Sequence, residues 1–269
     1  MNFVFVGAGR LATNLARALS EQGHRIVAVY SRTMASADAL CAVVGGVPTD
    51  RLDRLPMEAD AFILAVKDAV LPAVIRQLRQ GREGQMFFHT AGSIPISVFG
   101  NIVGHASLRD EVNNYIHQHC GVIYPMQTFS KEKQVDFSNV PFFIEASDAQ
   151  SLQTAREIAL SVSSRVQELS SDDRRYLHLA AVFACNFSNH CYTLAARILE
   201  QHGLSFDVML PLIAETADKV RTMHPRDAQT GPAVRYDENV IEAQKALLAD
   251  DPAMQHIYDI MSKSIHQKL

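Results

Sequence analysis

NFVFVGAGRLATNLARAL, residues 2–19, decides the fold. Asn2 to Val6 is a short apolar run that passes straight into Gly7-Ala8-Gly9 and a helix opening near Arg10. Ala12 stands where a third glycine is common and is small enough for close packing of helix on strand. Strand, glycine turn and helix in this order form a dinucleotide-binding fingerprint. Gly7 allows a turn that a Cβ would disfavour, and Gly9 lets a pyrophosphate approach the backbone. The N–H groups around Arg10 and Leu11, at the positive end of the helix dipole, then favour the diphosphate.

The rest of the chain is consistent with a globular protein built around that motif. It has 269 residues, 48% of them hydrophobic, enough for one large domain or two ordinary ones. A net charge of −4 gives no electrostatic drive towards nucleic acid or an anionic membrane. No apolar run approaches the length needed to span a bilayer, and a first strand at Asn2 leaves no room for a signal peptide. Cys41, Cys120, Cys185 and Cys191 form no CxxC pair. The expectation is a soluble, reduced, cytoplasmic protein.

Strand and helix signals alternate through the first 170 residues. RIVAVYSR (25–32), a short stretch within GGVPTD, AFILAV (61–66), MFFHTAG (86–92), GVIYPM (121–126), PFFIEA (141–146) and SRVQELS (164–170) are the further strands. Helices are expected over 33–44, 67–81 and 147–162. Such alternation predicts an α/β, doubly wound Rossmann-type sheet. The segment 97–120 gives no clear signal beyond a short surface helix. From Ser170 the pattern becomes wholly helical: a run of about thirty residues from Ser171 to Gly203 without Pro or Gly, then 204–223, 237–249 and 253–268. The expected domains are residues 1–168 and an all-helical 169–269.

Several residues could carry chemistry. The second strand ends Tyr30-Ser31-Arg32-Thr33 with no carboxylate for a ribose 2′-hydroxyl. Ser31 and Thr33 can donate hydrogen bonds and Arg32 can clasp a 2′-phosphate, which selects NADP(H) over NAD(H). Val66, at the end of the fourth strand, would line the nicotinamide ribose, and Lys67 follows it as a phosphate contact or a solvent-facing charge. His89, with Thr90, Gly92 and Ser93, ends the fifth strand. There it either touches substrate and moves a proton or holds the loop in shape. Counted at 100° per residue from His178, Cys185 and Asn189 share its face of the long helix, with Asn186 and Thr193 nearby. His, Asn and Thr in place of Lys and Glu suit either a cleft between domains or a polar dimer interface. TGPAVRYDE (230–238) supplies a rigid turn and Arg235, for a substrate carboxylate, a cofactor phosphate or an acidic neighbour. His117 and His119 form an HxH without further ligands at metal spacing, so no metal site is expected.

Taken together, GAGRLATNLARAL, YSR, ILAVKD, HTAGS, GVIYPMQTFS, PFFIEA, HLAAVFACNFSNH and TGPAVRYD resemble one family along nearly the whole chain. It is the family of NADP oxidoreductases with a Rossmann-like N-terminal domain and a C-terminal helical domain of unknown function (DUF2520). That family is related to pyrroline-5-carboxylate reductase, the F420-dependent NADP oxidoreductases and the β-hydroxyacid dehydrogenases. The resemblance implies an NADP site, a helical dimerisation domain and a cleft between them. In the wider group a lysine on the long helix assists hydride transfer; here His178 and Asn186 occupy plausible positions instead. Tyr236 replaces the glycine of the family's Arg-Gly-Asp, and Gln244 stands where a histidine is often found.

The expected function is an NADP(H)-dependent oxidoreductase acting on a small polar carbonyl or imine. His178, Asn186 and His89 are the catalytic candidates. Gly7, Gly9, Arg10, Leu11, Ser31, Arg32, Thr33 and Val66 are the cofactor residues, and Ser93, Asn189 and Arg235 the substrate contacts. A homodimer through the helical domain is expected, because that domain is too short to bury both faces of its long helix. The alternatives are a non-catalytic NADP-binding sensor and an outright pyrroline-5-carboxylate reductase.

Overall fold

A computed structural model describes residues 1–82, 84–100, 119–130 and 133–267. Most of the unclear segment 97–120 lies outside the described residues, including His117 of the HxH pair. Eight strands form one sheet in the order β3-β2-β1-β4-β5-β6-β7-β8. They are β1 Asn2–Val6, β2 Arg25–Tyr30, β3 Val47–Thr49, β4 Ala61–Leu64, β5 Phe87–His89, β6 Cys120–Pro125, β7 Phe142–Ala146 and β8 Val166–Glu168. All neighbouring pairs are parallel except β6 and β7, which run antiparallel. This is the doubly wound α/β architecture. The short edge strand β3 comes from the Gly-Gly-Val-Pro-Thr segment.

Period-two alternation in β1 explains the two-sided burial. Phe3 and Phe5 join Leu15, Leu19, Ile63 and Ile158 in a core on one face of the sheet. Val4 and Val6 join Phe62, Leu64, Leu71 and Ile75 on the other. Helices α1 Arg10–Glu21, α2 Met34–Val44 and α4 Ala149–Val162 belong to the first 170 residues. So does α3 Leu71–Leu78, which is preceded by a 3₁₀ turn, Asp68–Val70. The sheet order reverses direction between β1 and β4. In open α/β sheets ligands bind at the carboxyl ends of the strands flanking such a switch.

The expected thirty-residue helix is helical throughout but not uniformly α. It runs as α5 Ser171–Ala181, a π-helical stretch Val182–Phe187 and α6 Ser188–Gln201. Bonds of the i→i+5 type wind fewer degrees per residue than an α-helix. The constant 100° count from His178 therefore fails beyond Val182, and with it the shared face assigned to Cys185 and Asn189. The chain divides into two compact units, Met1–Cys185 and Asn186–Leu269. The first half of the long helix groups with the sheet because Leu177 packs against Val122, Tyr124 and Phe143. The second unit holds α6, α7 Leu210–Thr222, α8 Pro225–Ala228, α9 Pro232–Arg235, α10 Glu238–Ala246 and α11 Pro252–His266. Among the described residues no helix is long and apolar enough to cross a membrane.

Candidate active site

The glycine turn is built as its chemistry requires. Gly7 has φ +119°, and a Cβ there would lie 2.3 Å from the Ala65 carbonyl oxygen and 3.3 Å from a Val66 methyl. Only glycine fits. A Cβ on Gly9 would meet nothing within 4 Å, so the space above this residue is open. Gly9 caps α1 without a side-chain hydrogen bond, and the first turn carries no carboxylate. Open space over uncapped N–H groups at the positive end of a helix is what a diphosphate needs.

The adenosine side is fixed to this turn. The Gly7 N–H donates to the Tyr30 carbonyl at 2.8 Å, and the Ser31 N–H to the Thr49 carbonyl at 3.0 Å. The end of β2 is thereby held beside the phosphate turn, with Arg32 and Thr33 exposed next to it. Thr33 begins α2 and donates its hydroxyl to Ser36 at 2.9 Å. The residues present therefore fit a dinucleotide bearing a 2′-phosphate: three polar side chains, one of them an exposed guanidinium, and no carboxylate among Ser31, Arg32 and Thr33.

Three features here were not read from the sequence. Asn14, buried one turn into α1, donates to the Arg10 and Ser130 carbonyls at 2.9 and 2.8 Å and accepts from the Val135 N–H at 3.0 Å. It ties the segment after β6 to the first turns of α1. Asp68 accepts a hydrogen bond from the Ser93 hydroxyl at 2.5 Å, joining the β4 and β5 loops. Tyr124 in β6 sets its hydroxyl 3.1 Å from His178 Nδ1.

His178 is half-buried on α5, its ring edge-on to Tyr124 with centroids 5.9 Å apart. A Cβ on Gly92 would fall 2.5 Å from His178 Nδ1 and 2.9 Å from Tyr124 Cζ, so the glycine makes room for the pair. Arg174, one turn earlier and fully buried, secures this arrangement. It pairs with Glu145 at 2.6 Å and donates to the Ile94 carbonyl at 2.8 Å. Ser171 donates to the same Glu145 oxygen at 2.6 Å and accepts from the Ile96 N–H at 2.9 Å. The loop after β5 and the helix carrying His178 are thus clamped to one carboxylate. Separations of 26 to 80 residues between these partners hide the clamp from local sequence patterns.

His89 sits apart from that edge. It is 0% exposed, its Nδ1 accepts the Ala91 N–H at 3.2 Å, and its ring stacks on Phe99. Burial, reinforced by the Arg174 guanidinium, lowers its pKa to about 3; the Pro95 carbonyl pulls the other way without closing a hydrogen bond to Nε2. Asn186, Asn189 and Arg235 belong to the second unit, where all three are exposed. Beside Arg235, Tyr236 has φ +51°, the left-handed conformation that glycine adopts without strain, and its ring lies tilted against His266 with centroids 4.6 Å apart. That conformation gives a physical reason for the glycine usual at this position.

The Rossmann-like domain model matches residues 1–109, and the model for DUF2520, a domain of unknown function, matches residues 140–265. No protein of curated function matches the chain. Among solved structures, a putative NADP oxidoreductase from Bacteroides fragilis is 48% identical, with 99% of this chain and 98% of that one covered and a TM-score of 0.90. A protein from Thermotoga maritima is 23% identical over 99% and 98%, with a TM-score of 0.78. An imine reductase from Myxococcus stipitatus in complex with NADP+ is 16% identical over 99% and 93%, with a TM-score of 0.68. The last two share the fold. With nearly half its residues identical over the full length of the Bacteroides protein, the chain belongs to that protein's family, in which a Rossmann-like domain is joined to DUF2520.

Proposed function

We propose that the protein is an NADP(H)-dependent oxidoreductase that reduces a small polar carbonyl or imine compound. One observation carries this reading: a line of contacts and short chain steps joins the glycine turn to the His178 imidazole. Gly7 packs on Val66; two residues on, Asp68 holds Ser93; and Gly92, next to Ser93, packs on His178. Backbone N–H groups at Gly9, Arg10 and Leu11 hold the diphosphate, and Ser31, Arg32 and Thr33 hold the 2′-phosphate. Val66 covers the ribose side. When bound, the nicotinamide supplies the hydride. His178 moves the accompanying proton to the substrate oxygen or nitrogen, and Ser93, fixed by Asp68, orients the substrate. His89, neutral and enclosed, shapes the loop that carries Gly92 and Ser93. The names of the similar proteins, NADP oxidoreductase and imine reductase, support the same cofactor and reaction class.

A homodimer through the helical domain is part of the proposal. Among the described residues of 186–269, the buried apolar side chains are Ala233, Ile241 and Met254. Phe187, Leu204, Val208, Leu210, Leu212 and Val220 are all at least 49% exposed. A helical unit with so small a core and so much exposed apolar surface needs a second surface to cover it.

The test is NADPH oxidation across a panel of cyclic imines and small ketones, comparing the native protein with His178→Ala. Loss of turnover with NADPH affinity intact supports the assignment. Unchanged turnover removes His178 from the mechanism.

A further inference from the structure

The Tyr124 hydroxyl bears on which nitrogen of His178 carries the proton, and its functional meaning rests on the role proposed for that histidine. Tyr124 is 8% exposed, and among the described residues its hydroxyl has one hydrogen-bond partner, His178 Nδ1 at 3.1 Å. Burial pushes the phenol up from its ordinary value, against a smaller pull from Arg174, so it is neutral and carries a proton. Among the described residues the Nδ1 lone pair is the one acceptor within reach of that proton. A neutral imidazole accepting at Nδ1 carries its own proton on Nε2.

We propose that Tyr124 is a positioning residue that holds neutral His178 in the Nε2–H tautomer, so that Nε2 is the nitrogen presented to the substrate. Gly92 serves the same end, since any side chain there would push Nδ1 away from the phenol. The proton step then balances without a further reactant. As hydride reaches the substrate carbon, the Nε2–H bond breaks and an O–H or N–H bond forms on the substrate. The phenolic O–H bond breaks and Nδ1–H forms. The resulting tyrosinate is a transient that burial disfavours and the Arg174 guanidinium partly offsets, and it regains its proton from water.

The decisive experiment needs no substrate. Ring-¹⁵N spectra of the full-length protein with NADP+ added, taken about two pH units above the ordinary histidine value of roughly 6.5, report the tautomer directly. The His178 signals are assigned by their loss in His178→Gln. We expect a protonated Nε2 and an unprotonated, hydrogen-bonded Nδ1 in the native protein, and an Nδ1 signal shifted to the unbonded position in Tyr124→Phe. A proton on Nδ1 in the native protein, or an Nδ1 signal unmoved in Tyr124→Phe, overturns the proposal. Where a panel substrate is found, Tyr124→Phe should lower kcat at least about tenfold with KM and NADPH affinity held, the pattern of a group acting in the transition state. Correct tautomers without any NADPH-dependent turnover would instead count against the reductase reading alone.

Discussion

Burial of His89 should make the folded protein less stable as the pH falls. The histidine's folded-state pKa, about 3, lies below the unfolded value of 6.5, so the unfolded chain takes up the proton first. Stability from this group is complete above about pH 7.5 and declines as the pH falls through 6.5 towards 3. At pH 5 an unfolded histidine is about 97% protonated while the folded one stays neutral, a difference of about 2 kcal/mol. That figure hardly depends on the folded pKa, provided it stays below about 4. Asn at position 89 keeps an acceptor near the Ala91 N–H but does not titrate. Urea unfolding of the native protein and His89→Asn, at pH 8 and pH 5, gives a double difference that cancels every other titrating group. The variant should lose about 2 kcal/mol less than the native protein between the two pH values. Equal pH dependence in both would refute the burial argument. It would also return His89 to the list of candidate proton donors.

Three further outcomes follow from the geometry. Gly92→Ala should fold, because the nearest atoms its added Cβ meets belong to two side-chain rings; it should cut turnover sharply while NADPH titration is unchanged, and normal kcat would count against the His178–Tyr124 pair. Arg174→Leu should cost roughly 3–5 kcal/mol in denaturant unfolding, because Glu145 is left without its partner, and adding Glu145→Leu should recover part of that loss. Light scattering at micromolar concentration should give the mass of two chains, and a stable monomer would contradict the proposed dimer.

The sheet was legible because its strands are short apolar runs between polar and glycine-rich segments, and burial on both faces imposes that pattern. The phosphate turn was legible because Gly7 and Gly9 answer to local geometry. The candidate proton site was only half legible. His178 stands out as a histidine on the long helix that also carries Asn186 and Asn189, but Tyr124 looks like one more aromatic in a buried strand, and their meeting depends on how α5 lies across β6. The Arg174–Glu145 clamp is hidden in the same way, since Arg174 follows two aspartates and resembles a solvated helix start. His89 carried two readings because nothing local distinguishes an enclosed histidine from one facing a ligand; Phe99 and Arg174 decide it. Constant helical periodicity failed at Val182–Phe187, where a π-helical stretch leaves no signature in residue type.

Calorimetric titration of NADPH against NADH, on the native protein and on Arg32→Gln, shows whether Ser31, Arg32 and Thr33 hold a 2′-phosphate. The account predicts one NADPH per chain, a preference for NADPH of about 10- to 150-fold from the charge-assisted bonds at the 2′-phosphate, and collapse of that preference in Arg32→Gln. Equal affinity for the two cofactors in the native protein, or no binding of either, would contradict it.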